Sequence, residues 1–226
     1  MNIDPAPMTF WIASAIALVV AYLFGATPTA YLAGKLLRGI DIREHGSKSA
    51  GATNVLRTLG KWPALAVLIV DVLKGVAAVA FARWFFLWFT ASPPDTSTTD
   101  AQAAVPWVVC LAGLAALVGH SRSIWLNFTG GKSAATGLGV LLAMSWPVGL
   151  GGGAIFALVV AISRRVSLGS ILGAVTAIIL VCALDHPLAY RLLVIAGALY
   201  VIIRHRANIQ RLLAGTEPRI GQTASK

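Results

Sequence analysis

Residues 63–87 read PALAVLIVDVLKGVAAVAFARWFFL, an apolar run that carries Asp71 and Lys74 three residues apart. A helix needs about 20 predominantly apolar residues to cross the roughly 30 Å hydrocarbon core of a bilayer. This run is longer than that. An ionised side chain at the centre of such a helix costs about 2.5–3.5 kcal/mol. Spacing of three puts Asp71 and Lys74 on one helix face, so the pair is expected to be neutralised and to point into a helix bundle. Direct contact of this face with substrate is the competing reading.

Six further apolar runs surround this one, at 10–36, 105–119, 134–146, 148–162, 168–184 and 188–203. Four of them fall below the usual lower limit of about 17 residues and need shielding by neighbours or by polar flanks folded back into the bundle. Pro147 and the following Val-Gly-Leu-Gly-Gly-Gly mark the expected turn between the fourth and fifth runs. One kinked helix there would leave six spans. Of the 226 residues, 58% are hydrophobic and 12% charged, against about 45–50% and about 25% in soluble domains. That composition excludes a water-soluble fold and a disordered chain.

The net charge is +10, and its distribution follows a membrane, which argues against nucleic acid as a partner. Every Lys and Arg except Lys74, Arg83 and Arg191 falls within 35–61, 120–132, 164–165 or 204–226. Seven spans place all of these on one face, which the positive-inside rule makes cytoplasmic. Six would scatter them. The opposite face then receives Asp4, Asp95, Asp100 and Asp185, with 92–100 as a polar external loop. The expected fold is an all-α polytopic membrane protein of seven transmembrane helices. Its N-terminus lies outside and its C-terminus is cytoplasmic. Residues 1–226 form one domain, with loops 37–62 and 120–134 and the tail 204–226 making the site face. The acidic N-terminus lacks the basic start of a cleaved signal, so the first run is kept as a helix. Cys110 and Cys182 lie in apolar runs and read as small buried hydrophobes.

Five constellations carry possible chemistry. Residues 41–57 hold Arg43, Gly46, Ser47, Lys48, Gly51, Thr53, Asn54 and Arg57. Glycines let successive N–H groups converge, and the hydroxyl, amide and cationic side chains complete an anion cradle. A plain basic loop that only sets topology is the alternative. Gly119-His120 and then Thr129-Gly130-Gly131-Lys132-Ser133 lack the spacing of a nucleotide-binding loop, but a helix start carrying lysine suits an anion. A snorkelling lysine explains it equally well. Asp71 with Lys74 is the third. His205 and Asn208, in a basic tail that can also rest on anionic lipid, are spaced to reach the cytoplasmic mouth together. Ser167 and Ser170 begin the sixth span, where serine caps are common. All five can reach the cytoplasmic face, and a basic, glycine-rich mouth at a bilayer surface suits phosphorylated molecules, one carrying an acyl tail. A His-x4-Asp dyad is missing, since Ala50 and Trp125 stand where the acid would be. No cysteine is placed as a nucleophile, no metal-ligand spacing appears, and no cofactor is implied.

At these residues the sequence resembles the bacterial membrane acyltransferase family that moves a fatty acyl group from acyl phosphate to glycerol 3-phosphate. The matching positions are Asp41, Arg43, Gly46, Ser47, Gly51, Thr53, Asn54, Arg57 and Gly60, then Asp71, Lys74 and Gly75. Next come Gly119, His120, Phe128, Gly130, Gly131, Lys132, Ala135 and Thr136. Last are Ser167, Ser170, Arg204, His205, Arg206, Asn208, Arg211, Gly215 and Glu217. They run in the family's order over most of the chain. The resemblance implies a seven-helix enzyme of the bacterial inner membrane, working as a monomer among membrane lipids. It would make 1-acyl-glycerol 3-phosphate from acyl phosphate and glycerol 3-phosphate, with its site facing the cytoplasm. It implies that Ser47, Thr53, Asn54, Arg57 and Lys132 hold the donor phosphate, and that Arg43, Ser170, His205 and Asn208 hold glycerol 3-phosphate. Ser47, Arg57, Lys132 and His205 become the catalytic candidates. Arg43, Gly51, Thr53, Asn54, Lys74, His120, Gly130, Gly131, Ser170 and Asn208 become the substrate-binding ones.

The family usually carries Gly and Asn where Lys48 and Ser49 stand, Lys at Thr129, Gly at Ser133, Pro at Ser123 and Ser at Ala26. The missing glycine at 48 bears on a backbone position that needs positive φ. Lys48 stands as a replacement for the charge absent at Thr129. Two other classes remain open on this reading: a catalytically weakened paralogue that binds lipid phosphate, and a small phosphate-ester transporter.

Overall fold

Each apolar run becomes helix in the computed structural model, which describes residues 8–90 and 98–222. The α-helices are α1 (Met8–Ala26), α2 (Thr29–Arg38), α3 (Ala52–Thr58), α4 (Lys61–Thr90), α5 (Thr98–Ser121), α6 (Ala134–Met144), α7 (Trp146–Ser163), α8 (Val166–Ala183), α9 (Leu188–Arg204) and α10 (Arg206–Leu213). The expected external loop at 92–100 lies largely outside the described residues, as do Asp4 and Lys226. Five stretches are long and apolar enough to cross a membrane, and α9 reaches that length only when counted together with α10, from which it is bent by 60°. At 1.5 Å per residue α6 spans only about 16 Å, roughly half a bilayer core.

Two breaks fall where hydropathy alone did not put them. The run 10–36 is not one helix. It stops at Ala26 and resumes at Thr29, because Pro28 has no N–H to continue the ladder and disfavours helical backbone before it. Beyond the break, α2 continues the same 31-residue apolar stretch, Met8–Arg38, and exposes Leu36 and Leu37 beside Lys35 and Arg38, whose stems can lie along apolar surroundings while the charges reach water. The turn expected at Pro147 comes earlier, at Ser145, whose backbone is extended. Pro147 instead occupies the first turn of α7, where its missing N–H costs nothing, and 149–153 lie inside that helix. Of the two cysteines, Cys110 is buried and Cys182 is exposed on the outer side of α8.

Helices that share lipid-like surroundings associate through close packing of small residues. Ala13, Ala17 and Ala21 recur every four residues on α1 and meet Ala78 and Ala82 of α4 and Ala112 and Ala116 of α5, with Phe86 closing the cluster. The short α6 is held differently. A Cβ built on Gly139 would fall 1.9 Å from the Val72 carbonyl oxygen, and one on Gly75 would fall 2.2 Å from that of Thr136. The backbones of α4 and α6 thus touch at both glycines. A ring then forms as α6 packs on α7, α7 on α8, α8 on α9, and α9 back on α6. Trp11, Trp84, Trp88 and Trp146 are exposed toward the helix ends remote from the loops 39–60 and 122–133. Trp62 and Trp125 are exposed at the loop end. Two girdles of this kind mark bilayer interfaces.

Candidate functional site

The first loop is built around Asn54, which is 1% exposed. Its Oδ1 accepts from the Ser47 backbone N–H at 2.8 Å, and its Nδ2 donates to the carbonyls of Ile42 (2.7 Å) and His45 (3.0 Å). The amide is spent on the fold of the loop. Lys48 has φ 55°, in the left-handed region, as the missing glycine led us to expect. Ser133 has φ 62°, so a second position where the family usually has glycine is also left-handed here. Asp41 accepts from the Arg43 backbone and binds its guanidinium at 2.7 Å. This hydrogen-bonded pairing, more than the opposing effect of burial, holds the Asp41 carboxyl below its ordinary range. The same guanidinium reaches the Leu126 carbonyl and Thr129 Oγ1 at 3.2 and 3.0 Å. Arg43 therefore ties the first loop to the second.

The second loop turns at Asn127 and Phe128, both with positive φ, and delivers Lys132 to the head of α6. Lys132 Nζ donates to Asn208 Oδ1, across the space between α6 and α10. Burial, aided by Arg211, Arg57 and Arg204 and opposed by Glu217, pulls the Lys132 ammonium down to about 8. His205 sits in the bend between α9 and α10, buried, with Nδ1 2.8 Å from the Val201 carbonyl. A carbonyl only accepts, so Nδ1 carries the proton and Nε2 is the free acceptor. Burial lowers His205 to about 4, so the ring is neutral at physiological pH.

The tail folds back at Gly215 (φ 73°) and brings Glu217 under α10. There it accepts from Ser167 Oγ (2.6 Å), Asn208 Nδ2 (2.7 Å) and Arg211 Nε (2.7 Å). Burial opposes its charge, but these three donors together hold the carboxyl below its usual range. Within the bundle Asp71 and Lys74 pair at 2.8 Å, both buried, and Thr29 Oγ1 donates to Asp71 at 2.6 Å. Lys74 also donates to the Thr27 carbonyl at 3.1 Å. This is the neutralised pair expected of the span.

These elements enclose a cavity of about 1450 Å³. Ser47, Gly51, Thr53, Asn54, Arg57, His120, Lys132, Ser170, His205 and Asn208 line it, so the structure brings ten of the fourteen expected site residues to one chamber. Arg43, Lys74, Gly130 and Gly131 are not on its wall: Arg43 and Lys74 are committed to the partners above, and the two glycines lie against His120. The wall also contains Lys61, Arg211, Glu217 and Arg219, to which the sequence reading gave no site role, and Ser167, which stood beside Ser170 in the fifth constellation. Arg211 and Glu217 stood among the matching positions, but nothing in their spacing shows that the tail folds back. Away from this mouth the wall turns apolar, through Val140, Leu141, Phe156, Ala177, Val194 and Val201. The apolar arm lies inside the α6–α9 ring and stops where Val148, Ala177, Val181 and Val194 pack together.

Comparison with known proteins gives a consistent result. The family model described as glycerol-3-phosphate acyltransferase matches residues 15–215. Glycerol-3-phosphate acyltransferase 2 of Rhizobium johnstonii is 69% identical over 219 residues, covering 96% of this chain and 100% of that protein. The glycerol-3-phosphate acyltransferase of Acaryochloris marina is 58% identical, over 95% of this chain and 96% of its own. Among solved structures, the glycerol 3-phosphate form of PlsY (YgiH), described as an integral membrane glycerol 3-phosphate acyltransferase, superposes with a TM-score of 0.76 at 32% identity. It covers 92% of this chain and 96% of that one. The lysophosphatidic acid form of the same protein matches with the same TM-score and identity.

Proposed function

The chain belongs to the glycerol-3-phosphate acyltransferase family, as an integral membrane protein of the PlsY type, and on that premise we propose how it works. The donor is a fatty acyl phosphate, the acceptor is the 1-hydroxyl of glycerol 3-phosphate, and the products are 1-acyl-glycerol 3-phosphate and inorganic phosphate. The observation that carries this reading is a cavity with two characters. Its mouth gathers Arg57, Lys132 and Arg211 with serine and amide groups, and its depth is an apolar arm enclosed by four helices. Two phosphate-bearing substrates fit the first, and a fatty acyl chain fits the second.

In this scheme Arg57 and Lys132 bind the donor phosphate, with Ser47 beside them. Ser170, His205 and Asn208 face glycerol 3-phosphate. The hydroxyl oxygen bonds to the acyl carbonyl carbon, the bond from that carbon to the phosphate oxygen breaks, and the electron pair leaves with phosphate. Cations at the departing oxygen stabilise the charge that develops there, and holding both anions in one chamber supplies proximity. The hydroxyl proton passes to a substrate phosphate. A histidine base is the rival scheme, and burial weakens it for His205, since a group held at about 4 is poorly matched to proton abstraction near neutral pH. His205 Nε2 instead accepts a hydrogen bond from the acceptor and orients it.

The same reading gives seven crossings, with α6 as the short fourth, the N-terminus outside and the cavity mouth in the cytoplasm of a bacterial inner membrane. It is supported by the gathering of the basic loops at one cavity. A transporter would need a polar path onward from the cavity, whereas its deep end is a cluster of valines and alanine. The test offers purified protein in nanodiscs labelled glycerol 3-phosphate with either palmitoyl phosphate or palmitoyl-CoA. Lysophosphatidate from palmitoyl phosphate alone is expected. Product from the thioester would overturn the donor, and binding of glycerol 3-phosphate without product from either would favour a weakened paralogue.

A further inference from the structure

His120 ends α5 at the back of the mouth, and its surroundings suit a task other than proton transfer. The ring is buried, and both nitrogens face protein. Nδ1 lies 3.7 Å from Asp71 Oδ1, and Nε2 lies against the backbone of Gly131, where a Cβ would come within 2.1 Å of it. The backbone of the same histidine touches the same turn. Its carbonyl accepts the Gly131 N–H at 3.1 Å and would be 2.3 Å from a Cβ on Gly130. From the other side, Arg204 donates to the Gly131 carbonyl at 3.0 Å.

We propose that His120 is a positioning residue: backed by Asp71 of α4, it is the seat on which the Gly130–Gly131 turn rests, and the seating fixes the place of Lys132. The residue after the seated glycine is the one that carries the cavity's lysine. It is followed by Ser133, pinned by its hydroxyl to the Leu117 carbonyl at 2.6 Å. The Lys132 backbone is therefore clamped between two anchored neighbours, which aims its side chain across the cavity toward Asn208. Asp71 stands behind the ring, 3.7 Å from Nδ1, on a helix held by the Lys74 pair and by Thr29. This assigns a common purpose to four residues that the sequence singled out as substrate contacts: Lys74, His120, Gly130 and Gly131 act on substrate through Lys132. The inference rests on the proposed role of Lys132 at the donor phosphate.

The experiment measures kcat and KM for palmitoyl phosphate and for glycerol 3-phosphate, with thermal unfolding in detergent, for Gly131→Ala, His120→Ala, the double variant and His120→Gln. Gly131→Ala drives a methyl group into the ring, and its kcat/KM for the donor is expected to fall about 100-fold, the scale of a 1 Å misplacement. Removing the ring clears the closest clash and leaves the methyl 2.9 Å from the Ala50 carbonyl oxygen, so the double variant is expected to exceed Gly131→Ala alone while staying below His120→Ala, a coupling that independent sites do not show. His120→Gln should raise the donor KM while kcat and the glycerol 3-phosphate KM stay within a few-fold. If Gly131→Ala does not fold, recovery of a cooperative unfolding transition in the double variant counts as the same rescue. Losses that simply multiply in the double variant would overturn the proposal. So would a fall in kcat of His120→Gln by about 10²–10⁴-fold at unchanged KM, which is the size of a general-base contribution. Inactive wild-type protein would instead refute the donor assignment, and active wild type with multiplying losses refutes only the seat.

Discussion

Raising the pH from 7 to 9 should switch off donor capture through one side chain. Lys132 is pulled down to about 8, first by burial and then by the cations Arg211, Arg57 and Arg204, against the pull of Glu217. An amine with that value is about 90% charged at pH 7 and about 10% charged at pH 9. If the charged form is what binds the donor phosphate, kcat/KM for acyl phosphate should drop about tenfold across this window. The sign is fixed by the group: the ammonium is present below about 8 and lost above it. His205, held near 4, stays neutral throughout, and Glu217, held below its usual range, stays ionised. Neither contributes a slope. The profile belongs in kcat/KM, which reports the free enzyme. Once the dianionic phosphate is bound it favours the ammonium, so kcat should vary less. The assay is initial-rate phosphate release with palmitoyl phosphate at constant ionic strength, corrected for uncatalysed hydrolysis. Lys132→Arg carries a charge that does not titrate in this range, and its profile should be flat above pH 7. A flat wild-type profile, or an equal slope in Lys132→Arg, would refute the reasoning.

Three other outcomes follow from the geometry. Ala177 lies about 15 Å below Ser167 along α8, and a zigzag acyl chain advances about 1.25 Å per carbon, so an eight-carbon chain ends above Ala177 while a sixteen-carbon chain reaches it at the closed end of the arm. Ala177→Leu should lower kcat/KM for palmitoyl phosphate by about 10-fold, since overpacking costs about 1–3 kcal/mol, and leave octanoyl phosphate within about twofold in the same assay. Glu217→Ala leaves the buried Ser167 and Asn208 without their shared acceptor and the exposed Arg211 without its partner, and should destabilise the protein by about 1–3 kcal/mol, read as a lowered unfolding midpoint in detergent. Lys48→Gly relieves a left-handed backbone and should stabilise by about 0.5–1 kcal/mol with little change in rate.

The membrane class was legible because apolar length and charge placement are direct consequences of bilayer thickness and interfacial potential. The sites of the helix breaks were less so. Pro28 interrupts a run that hydropathy treats as continuous, and at Pro147 the proline marks the beginning of a helix, two residues past the true turn at Ser145. The resemblance to the acyltransferase family pointed to ten of the cavity residues, at positions whose glycine, hydroxyl and cationic chemistry is itself an anion-binding pattern. What sequence could not separate is a residue that touches the cavity from one that shapes it. Arg43 and Lys74 have the right chemistry for phosphate, yet Asp41 and Asp71 are close enough to claim them. Asn54 lines the chamber but spends its amide on the loop. Glu217 reads as a tail acid until the turn at Gly215 buries it.

The central claim is that Lys132 holds the donor phosphate in the cavity where acyl transfer occurs. Its most direct test is turnover of palmitoyl phosphate by wild type and Lys132→Ala, alongside equilibrium binding of glycerol 3-phosphate to both. Wild type should form lysophosphatidate and phosphate one to one. The variant should lose about 10²-fold or more in kcat/KM for the donor, as expected when a charge-stabilising contact is removed, while binding glycerol 3-phosphate within a few-fold of wild type. A folded Lys132→Ala variant with wild-type turnover would contradict the account.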